Sequence, residues 1–250
     1  MTRSMRIGLF LAGAAGVGFL LVWGVLDLPT FGHYAGPYGD IVSKLTEPQR
    51  HIANAVTAIV FDYRGFDTMG EELILFSAAS AVAMLFRETR EADTKDIVDA
   101  VRADAVNGLG VLAAIVTLLL AFDVVAHGFV TPGGGFQGGV VFAAAFVFVY
   151  FTCEYHAYLR LATTKFAEPL ESFGAGSFVG LGMIAFAFGL AFMGNFIDYG
   201  VTGRIRSGGS AALVNWSSAL AVAGGFMVIF SEYLKDNMAA RYGRTKKVVQ

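Results

Sequence analysis

Two short segments of this chain concentrate residue types that could bind or carry a cation. The first, here named the acidic motif, reads FDYRGFDTMGEE at positions 61–72 and holds four carboxylates and one arginine. Asp67 and Glu71 form one i,i+4 pair, and Thr68 and Glu72 form another, so a helix would gather their oxygens. Because such hard oxygen ligands suit Na⁺ and carboxylates can relay protons, the motif is a candidate ion site.

A structural interpretation of the same residues stays open. Thr68-x-x-Glu71 has the form of a capping box, in which both side chains satisfy backbone N–H groups at the start of a helix. Arg64 would then pair with Asp62 or Asp67, and acids in a first helical turn suit the helix dipole. The spacing alone does not separate an ion site from a helix cap.

The second segment, here named the glycine motif, reads HGFVTPGGGFQGG at positions 127–139. Gly133-x-Gly135-x-x-Gly138 matches a dinucleotide-binding fingerprint in its letters, but no strand precedes it and an apolar helix follows, which excludes that interpretation. The glycine run instead predicts non-helical backbone that is buried in protein or lines a cavity. Gly135-x-x-x-Gly139 would let a neighbouring helix approach closely.

Two further polar residues lie at the start of the glycine motif and one turn before it. His127 has an unperturbed pKa near neutrality, so it could carry protons or simply make a hydrogen bond. Asp123 lies in an apolar helix, where a carboxylate is costly unless it serves an ion path or is paired. The four histidines and the single cysteine, Cys153, lack metal-ligand spacing, so no transition-metal site is predicted.

These motifs belong to a chain whose composition indicates a membrane protein. Of its 250 residues 56% are hydrophobic and only 15% are charged, against about 25% in a soluble domain. The net charge of −2 argues against nucleic-acid binding. Six apolar runs are long enough to cross a hydrocarbon core: Ile7–Leu26, Met69–Phe86, Leu109–Val125, Gly135–Cys153, Phe178–Phe196 and Ala212–Phe230. The sequence predicts an all-α integral membrane protein of about six transmembrane helices, not a soluble enzyme.

Charge asymmetry predicts the topology. The apolar stretch Ile52–Phe61 is too short to span and predicts an interfacial or re-entrant helix. With six crossings, 13 Lys and Arg residues fall on the side of both termini and 5 on the other. By the positive-inside rule we expect both termini in the cytoplasm, with the chain in the inner or plasma membrane. The charged loop Arg87–Val106 predicts a cytoplasmic surface helix, and the basic tail predicts contact with lipid headgroups or a partner.

The glycine motif resembles the signature of the MrpB/MnhB family. That family belongs to the multisubunit Na⁺/H⁺ antiporters of the Mrp type, and it is similar to a four-helix membrane subunit of membrane-bound hydrogenases. The matching residues, flanked by His127 and Gly128, are Thr131, Pro132, Gly133, Gly134, Gly135, Phe136, Gln137, Gly138 and Gly139. Four predicted crossings between Leu109 and Phe230 agree with that size.

The acidic motif resembles a different subunit. The run Asp62-Tyr63-Arg64-Gly65-Phe66-Asp67-Thr68, followed by Gly70 and Glu71, is similar to the C-terminal end of the MrpA subunit and to the small hydrogenase subunit MbhE. Together the resemblances predict an MbhE-like two-helix part at 1–90, a cytoplasmic linker helix at 91–106 and an MrpB/MnhB-like four-helix part at 107–250.

The resemblances imply a transporter subunit and not an enzyme. Candidate ion-path or cation-binding residues are then Asp62, Asp67, Thr68 and Glu71, with Na⁺ at the last three, alongside Asp123 and His127. Na⁺ and H⁺ would be transported ions, and no cofactor is expected. Implied partners are MrpA-like, MrpC-like, MrpD-like and small antiporter subunits within the lipid bilayer. Two alternatives stay open: a membrane subunit of a redox-driven, hydrogenase-like ion pump, and a structural subunit with no ion path of its own.

Overall fold

Helices make up all the regular structure of the described residues. The computed structural model describes residues 3–28, 32, 36–86, 103–153, 155–162 and 164–249. The helices are α1 Arg3–Leu26, α2 Pro37–Arg50, α3 Ala55–Ala58, α4 Gly65–Leu85, α5 Asp104–Ala126, α6 Gly135–Cys153, α7 Tyr155–Leu161, α8 Thr164–Ala187 and α9 Ala211–Val249. A π-helical turn, Ile59–Tyr63, lies between α3 and α4.

Six helices are long and apolar enough to cross a membrane. These spans are Arg3–Leu26, Gly65–Leu85, Asp104–Ala126, Gly135–Cys153, Lys165–Ala187 and Ala211–Met238. The predicted all-α membrane fold is therefore confirmed, and the chain is a multi-pass membrane protein. Five of the six predicted spans overlap the observed helices closely.

The predicted span Phe178–Phe196 is wrong in position, because the helix there is α8, Thr164–Ala187. Gly189 follows it with a φ of 71°, in the left-handed region that favours glycine. The N–H of Leu190 donates to the carbonyl of Ala185, as in the Schellman arrangement that ends helices. The apolar run continues beyond this stop, so hydropathy places the helix too late in the chain.

The segments before the second span are also helical. The predicted short helix at Ile52–Phe61 is confirmed as α3 and the π-helical turn. Helix α2 was not predicted from the sequence, although Pro37 at its first position, Asp40 in its first turn and Arg50 in its last turn suit helix ends. The surface helix was predicted for a charged loop that falls mainly on residues 87–102, and these are outside the described residues.

The chain divides into two compact units, Met1–Ile41 and Val42–Gln250. In the first unit α1 buries none of its residues, so its apolar side chains form a surface suited to lipid or to other subunits. In the second unit α9 is central: α4, α6 and α8 pack against it, and α5 packs against α6.

Small residues allow the close packing around α9. A Cβ atom added at Gly135 would lie 2.0 Å from the backbone oxygen of Asn215, and one at Gly139 would lie 2.8 Å from that of Ala219. On α8, a Cβ atom at Gly174 would lie 2.1 Å from a backbone nitrogen of α9. The predicted approach of a neighbouring helix to Gly135-x-x-x-Gly139 is thus confirmed, and the neighbour is α9.

Candidate functional site

The π-helical turn determines how the acidic motif enters α4. The N–H of Arg64 donates to the carbonyl of Ile59 at 2.8 Å, an i to i+5 bond. Thr68 Oγ1 donates to the carbonyl of Val60 at 2.5 Å. Because α4 begins at Gly65 and the Thr68 hydroxyl donates instead of accepting, the capping-box interpretation is wrong.

The two i,i+4 pairs of the acidic motif lie on different faces of α4. Thr68 and Glu72 are buried, whereas Asp67 and Glu71 are exposed. The Arg64 guanidinium pairs with Asp67, as one of the two sequence alternatives predicted. The two pairs differ in burial because adjacent helical positions point in different directions.

Asp62 pairs with Arg50 of α2, a partner that sequence reasoning did not identify. Arg50 Nε donates to Asp62 Oδ1 at 2.6 Å, and the guanidinium carbon lies 4.8 Å from the ring centroid of Tyr63 and 5.4 Å from that of Tyr199. Burial alone would lower the pKa of Arg50, but the nearby charges of Asp62 and Tyr199 have the larger combined effect. The pKa of Arg50 is therefore raised. Burial, and then Asp62, raise the pKa of Tyr199. Asp62 thus belongs to an ion pair enclosed by aromatic rings.

Asn54 joins the start of α3 to the loop between α5 and α6. Its Oδ1 accepts from the N–H of Val56 at 3.1 Å, which caps α3. Its Nδ2 donates to the carbonyl oxygens of Gly128 at 2.9 Å and Thr131 at 3.0 Å. The backbone N–H of Asn54 donates to the carbonyl of Phe129. One side chain thereby connects the segment before the acidic motif to the glycine motif.

The glycine motif contains non-helical backbone, as predicted. Gly133 and Gly134 have φ values of 150° and 138°, a region that glycine reaches without steric cost. Asn215 of α9 holds the following turn: its Oδ1 accepts from the N–H of Gly135 at 2.6 Å, and its Nδ2 donates to the carbonyl of Val125 at 3.0 Å. The end of α5 and the start of α6 are therefore both hydrogen-bonded to α9.

A cavity of about 220 Å³ lies between the acidic motif and the glycine motif. Its walls combine apolar side chains with several oxygen-bearing groups, and they are Val56, Thr57, Val60, Phe61, Thr68, Glu71, Gly133, Phe136 and Gln137. Carboxylate, hydroxyl, amide and carbonyl oxygens are the groups that bind hard cations. Of the predicted ion-path residues, the structure brings Thr68 and Glu71 to this cavity.

The other predicted ion-path residues are not among those lining the cavity. Asp62 and Asp67 are paired with arginines, as described above. His127 Nδ1 lies 2.9 Å from Asp123 Oδ1, and these two side chains are 38% and 64% exposed. Asp123 and His127 therefore form a pair of their own at the end of α5. The Na⁺ site hypothesised at Asp67, Thr68 and Glu71 stays a prediction.

Three carboxyl groups of the described residues are buried, and the sequence analysis singled out only Glu72 among them. The Glu72 carboxylate accepts a hydrogen bond from Ser218 of α9. Glu232 of α9 is fully buried and pairs with Lys235 at 3.0 Å. Glu171 of α8 is only 4% exposed. An acid within or beside an apolar run is the sequence signal that could have revealed these buried groups. Glu171 was missed because the predicted span began at Phe178, which left Glu171 in a predicted loop.

Comparison with known families identifies the part of the chain that carries the glycine motif. A family model described as a domain related to the MnhB subunit of Na⁺/H⁺ antiporter matches residues 105–228. Residues 105–228 are therefore similar to that domain, and this part of the chain is named the MnhB-related domain below. It extends from α5 into α9, so the MnhB-related domain contains the glycine motif, Asn215 and Glu171.

A curated relative covers a similar share of the chain. The uncharacterized protein MJ1307 of Methanocaldococcus jannaschii is 32% identical over 162 residues, which are 59% of this chain and 62% of the relative. The match therefore spans less than two thirds of that relative's length.

Two solved structures share the fold over more than nine tenths of the chain. One is a chain of the membrane-bound sulfane sulfur reductase, an archaeal respiratory membrane complex, with 26% identity, a TM-score of 0.62 and coverage of 92% of this chain and 98% of that one. The other is a chain of the Mrp complex from Dietzia sp. DQ12-45-1b, with 23% identity, a TM-score of 0.65 and coverage of 93% and 26%. The segments before the MnhB-related domain thus have counterparts in the same chain of each complex.

Proposed function

We propose that this protein is a membrane subunit of a multisubunit Na⁺/H⁺ antiporter of the Mrp type, acting in transport and assembly and not as an enzyme. The match of residues 105–228 to the MnhB-related domain carries the proposal. Its partners would be MrpA-like, MrpC-like, MrpD-like and small subunits. The exposed apolar side chains of α1 support a place among such subunits.

The cavity between the two motifs is the proposed part of the cation path. Thr68 and Glu71 would present a hydroxyl and a carboxylate oxygen, and Gln137 and the carbonyl of Gly133 would add neutral oxygens. Such a set suits Na⁺ because hard cations prefer oxygen ligands. Glu71 is exposed, so the packing of the protein core does not depend on its side chain.

The first experiment is purification of a tagged chain from its native membrane, with identification of the subunits that accompany it. Large antiporter-like subunits without redox proteins are expected. The complex would then be placed in liposomes, and Na⁺-dependent proton movement would be followed with a pH-sensitive dye. A chain that purifies alone in a stable form would contradict the subunit proposal.

Glu71→Gln tests the cation path within the assembled complex. We expect Na⁺-dependent exchange to fall by about tenfold, because a neutral amide binds a cation less well than a carboxylate. Glu47→Gln is the matched control, since Glu47 is an exposed carboxylate of α2 outside the cavity. Unchanged exchange in a fully assembled Glu71→Gln complex would favour a structural subunit whose ions move through other chains.

A second candidate is a subunit of a redox-driven ion pump. It is favoured by one observation: the chain matches 98% of a subunit of a respiratory membrane complex at 26% identity. Metal-cluster proteins in the purified complex, with exchange that depends on an electron donor, would support this candidate over the antiporter.

We also propose that both termini lie in the cytoplasm. The distribution of Lys and Arg, 13 on the terminal side against 5, supports this orientation. A cysteine introduced by Ser4→Cys in a Cys153→Ser background should react with a membrane-impermeant maleimide in everted vesicles. Reaction only in right-side-out vesicles would contradict the orientation.

A further inference from the structure

Glu171 is a buried residue whose carboxyl oxygen Oε1 has no hydrogen-bonding partner. It lies in the second turn of α8, its residue is 4% exposed, and its Oε1 accepts no hydrogen bond. No described Lys or Arg side chain pairs with it. An ionised carboxylate in such surroundings is costly, because no hydrogen bond from the described protein compensates Oε1 for its lost hydration. The neutral, protonated acid is therefore the form that the resting fold accommodates.

Two glycines of α9 make the space that Glu171 occupies. A Cβ atom at Gly224 would lie 2.3 Å from the backbone nitrogen of Glu171, which marks a close crossing of α8 and α9. A Cβ atom at Gly225 would lie 3.2 Å from Glu171 Oε1 and 3.3 Å from Cγ of Leu75 on α4. The carboxyl group thus lies where three membrane helices meet, and the absence of a side chain at Gly225 leaves room for it.

The titratable groups around this site are mainly acids. On α8 itself, half-buried Glu168 lies one turn before Glu171. Glu72 of α4 lies one turn before Leu75, and it already accepts a hydrogen bond from Ser218. On α9, Glu232 lies seven residues after Gly225 and is paired with Lys235. Glu171 therefore differs from Glu72 and Glu232, which both have partners.

We propose that Glu171 is a proton-binding site within the membrane, on the proton route of the complex. The inference rests on the proposed transport function, but it assigns the proton site to the MnhB-related domain instead of to the acidic motif. A proton arriving from one side forms an O–H bond with the carboxylate, and this bond breaks when the proton leaves towards the other side. No electrons move, and no other reactant is needed.

Labelling of the intact complex tests proton binding without any substitution. Dicyclohexylcarbodiimide is an apolar reagent that adds to protonated carboxyl groups inside membrane proteins. We expect mass spectrometry of peptides to find the adduct on Glu171, with more adduct at low pH than at high pH. An unmodified Glu171 at every pH, in a complex whose other buried acids react, would overturn the proposal.

Transport by matched variants tests the place of Glu171 on the route. Glu171→Gln keeps the shape of the side chain but cannot exchange a proton, so exchange should fall by about a hundredfold. Glu171→Asp should retain part of the activity. Glu47→Gln, the same change at an exposed acid of α2, should leave exchange unchanged. An assembled Glu171→Gln complex with wild-type exchange would overturn the proposed route.

The two proposals fail in distinguishable ways. If the wild-type complex exchanges no ions, the antiporter function is wrong, whereas pH-dependent labelling would still support proton binding at Glu171. If Glu171→Gln prevents assembly, Gly225→Ala provides a second test, because it keeps the carboxyl group and adds a methyl beside Oε1. Reduced labelling and exchange in Gly225→Ala would support the site, and wild-type values for both would overturn it.

Discussion

Asn215 on α9 accepts a hydrogen bond from the backbone N–H of Gly135, with 2.6 Å between the amide oxygen and the nitrogen. The other end of the same side chain donates to the carbonyl of Val125 at 3.0 Å. Asn215 is only 1% exposed, so water does not supply these bonds when the side chain is removed. One buried amide thus satisfies two backbone groups on either side of the glycine motif.

Asn215→Ala should lower the stability of the protein by about 1–3 kcal/mol, because it leaves a buried N–H and a buried carbonyl unpaired. Thermal unfolding in detergent, followed by the fluorescence of a thiol-reactive dye at Cys153, would measure the change. Asn215→Asp keeps the acceptor for Gly135 but buries a carboxylate against the carbonyl of Val125, so it should be at least as destabilising. An unchanged unfolding temperature for Asn215→Ala would show that the two backbone groups find other partners.

Gly135→Ala should be destabilising by about 1–3 kcal/mol, because the added methyl would overlap the backbone of α9. The overlap is with the carbonyl oxygen of Asn215, which cannot rotate away as a side chain could. Gly176→Ala on α8 is the control, since no atom lies within 4 Å of its added Cβ. That change should be neutral or slightly stabilising, by up to about 1 kcal/mol. Equal losses in both variants would contradict the packing argument.

Asn54→Ala should loosen α3 and the π-helical turn, because it removes the helix cap and two bonds to the glycine motif. The expected cost is about 1–2 kcal/mol. Hydrogen exchange followed by mass spectrometry should become faster in residues 55–64 and in 127–134, while α9 keeps its protection. Faster exchange in 55–64 alone would mean that Asn54 serves as a cap and does not hold the loop.

Tyr158 of α7 should make the stability of the protein depend on alkaline pH. Its hydroxyl lies 2.8 Å from that of Ser231, and burial raises its pKa to about 12, partly offset by this hydrogen bond. An unfolded tyrosine ionises near pH 10, at about its model-peptide pKa. The unfolded state therefore loses its proton first, so Tyr158 contributes stability below about pH 10 that is lost as the pH rises towards 12.

The matched variant for this pH dependence is Tyr158→Phe. It should be less stable than wild type near neutral pH because the hydrogen bond with Ser231 is lost. Its unfolding temperature should fall less steeply between about pH 10 and 12. Parallel curves for the two proteins would show that Tyr158 keeps its proton equally in the folded and unfolded states.

The sequence by itself determined the membrane class, most of the spans and the glycine motif. Apolar run length and glycine content are local properties, and a hydrocarbon core of about 30 Å selects helices by length alone. The same reasoning failed at α8, where the helix stop at Gly189 interrupts an apolar run that hydropathy treats as continuous.

Only the tertiary structure decided which carboxyl groups are paired, exposed or buried. Asp62 pairs with Arg50 of α2, Glu71 faces a cavity, and Glu171 meets the glycines of α9. The position of an acid along a helix can be read from the sequence, but its partner depends on which helix packs against it. Contacts between residues far apart in the chain determine which helices pack together. The spacing of residues within one motif carries no information about those contacts.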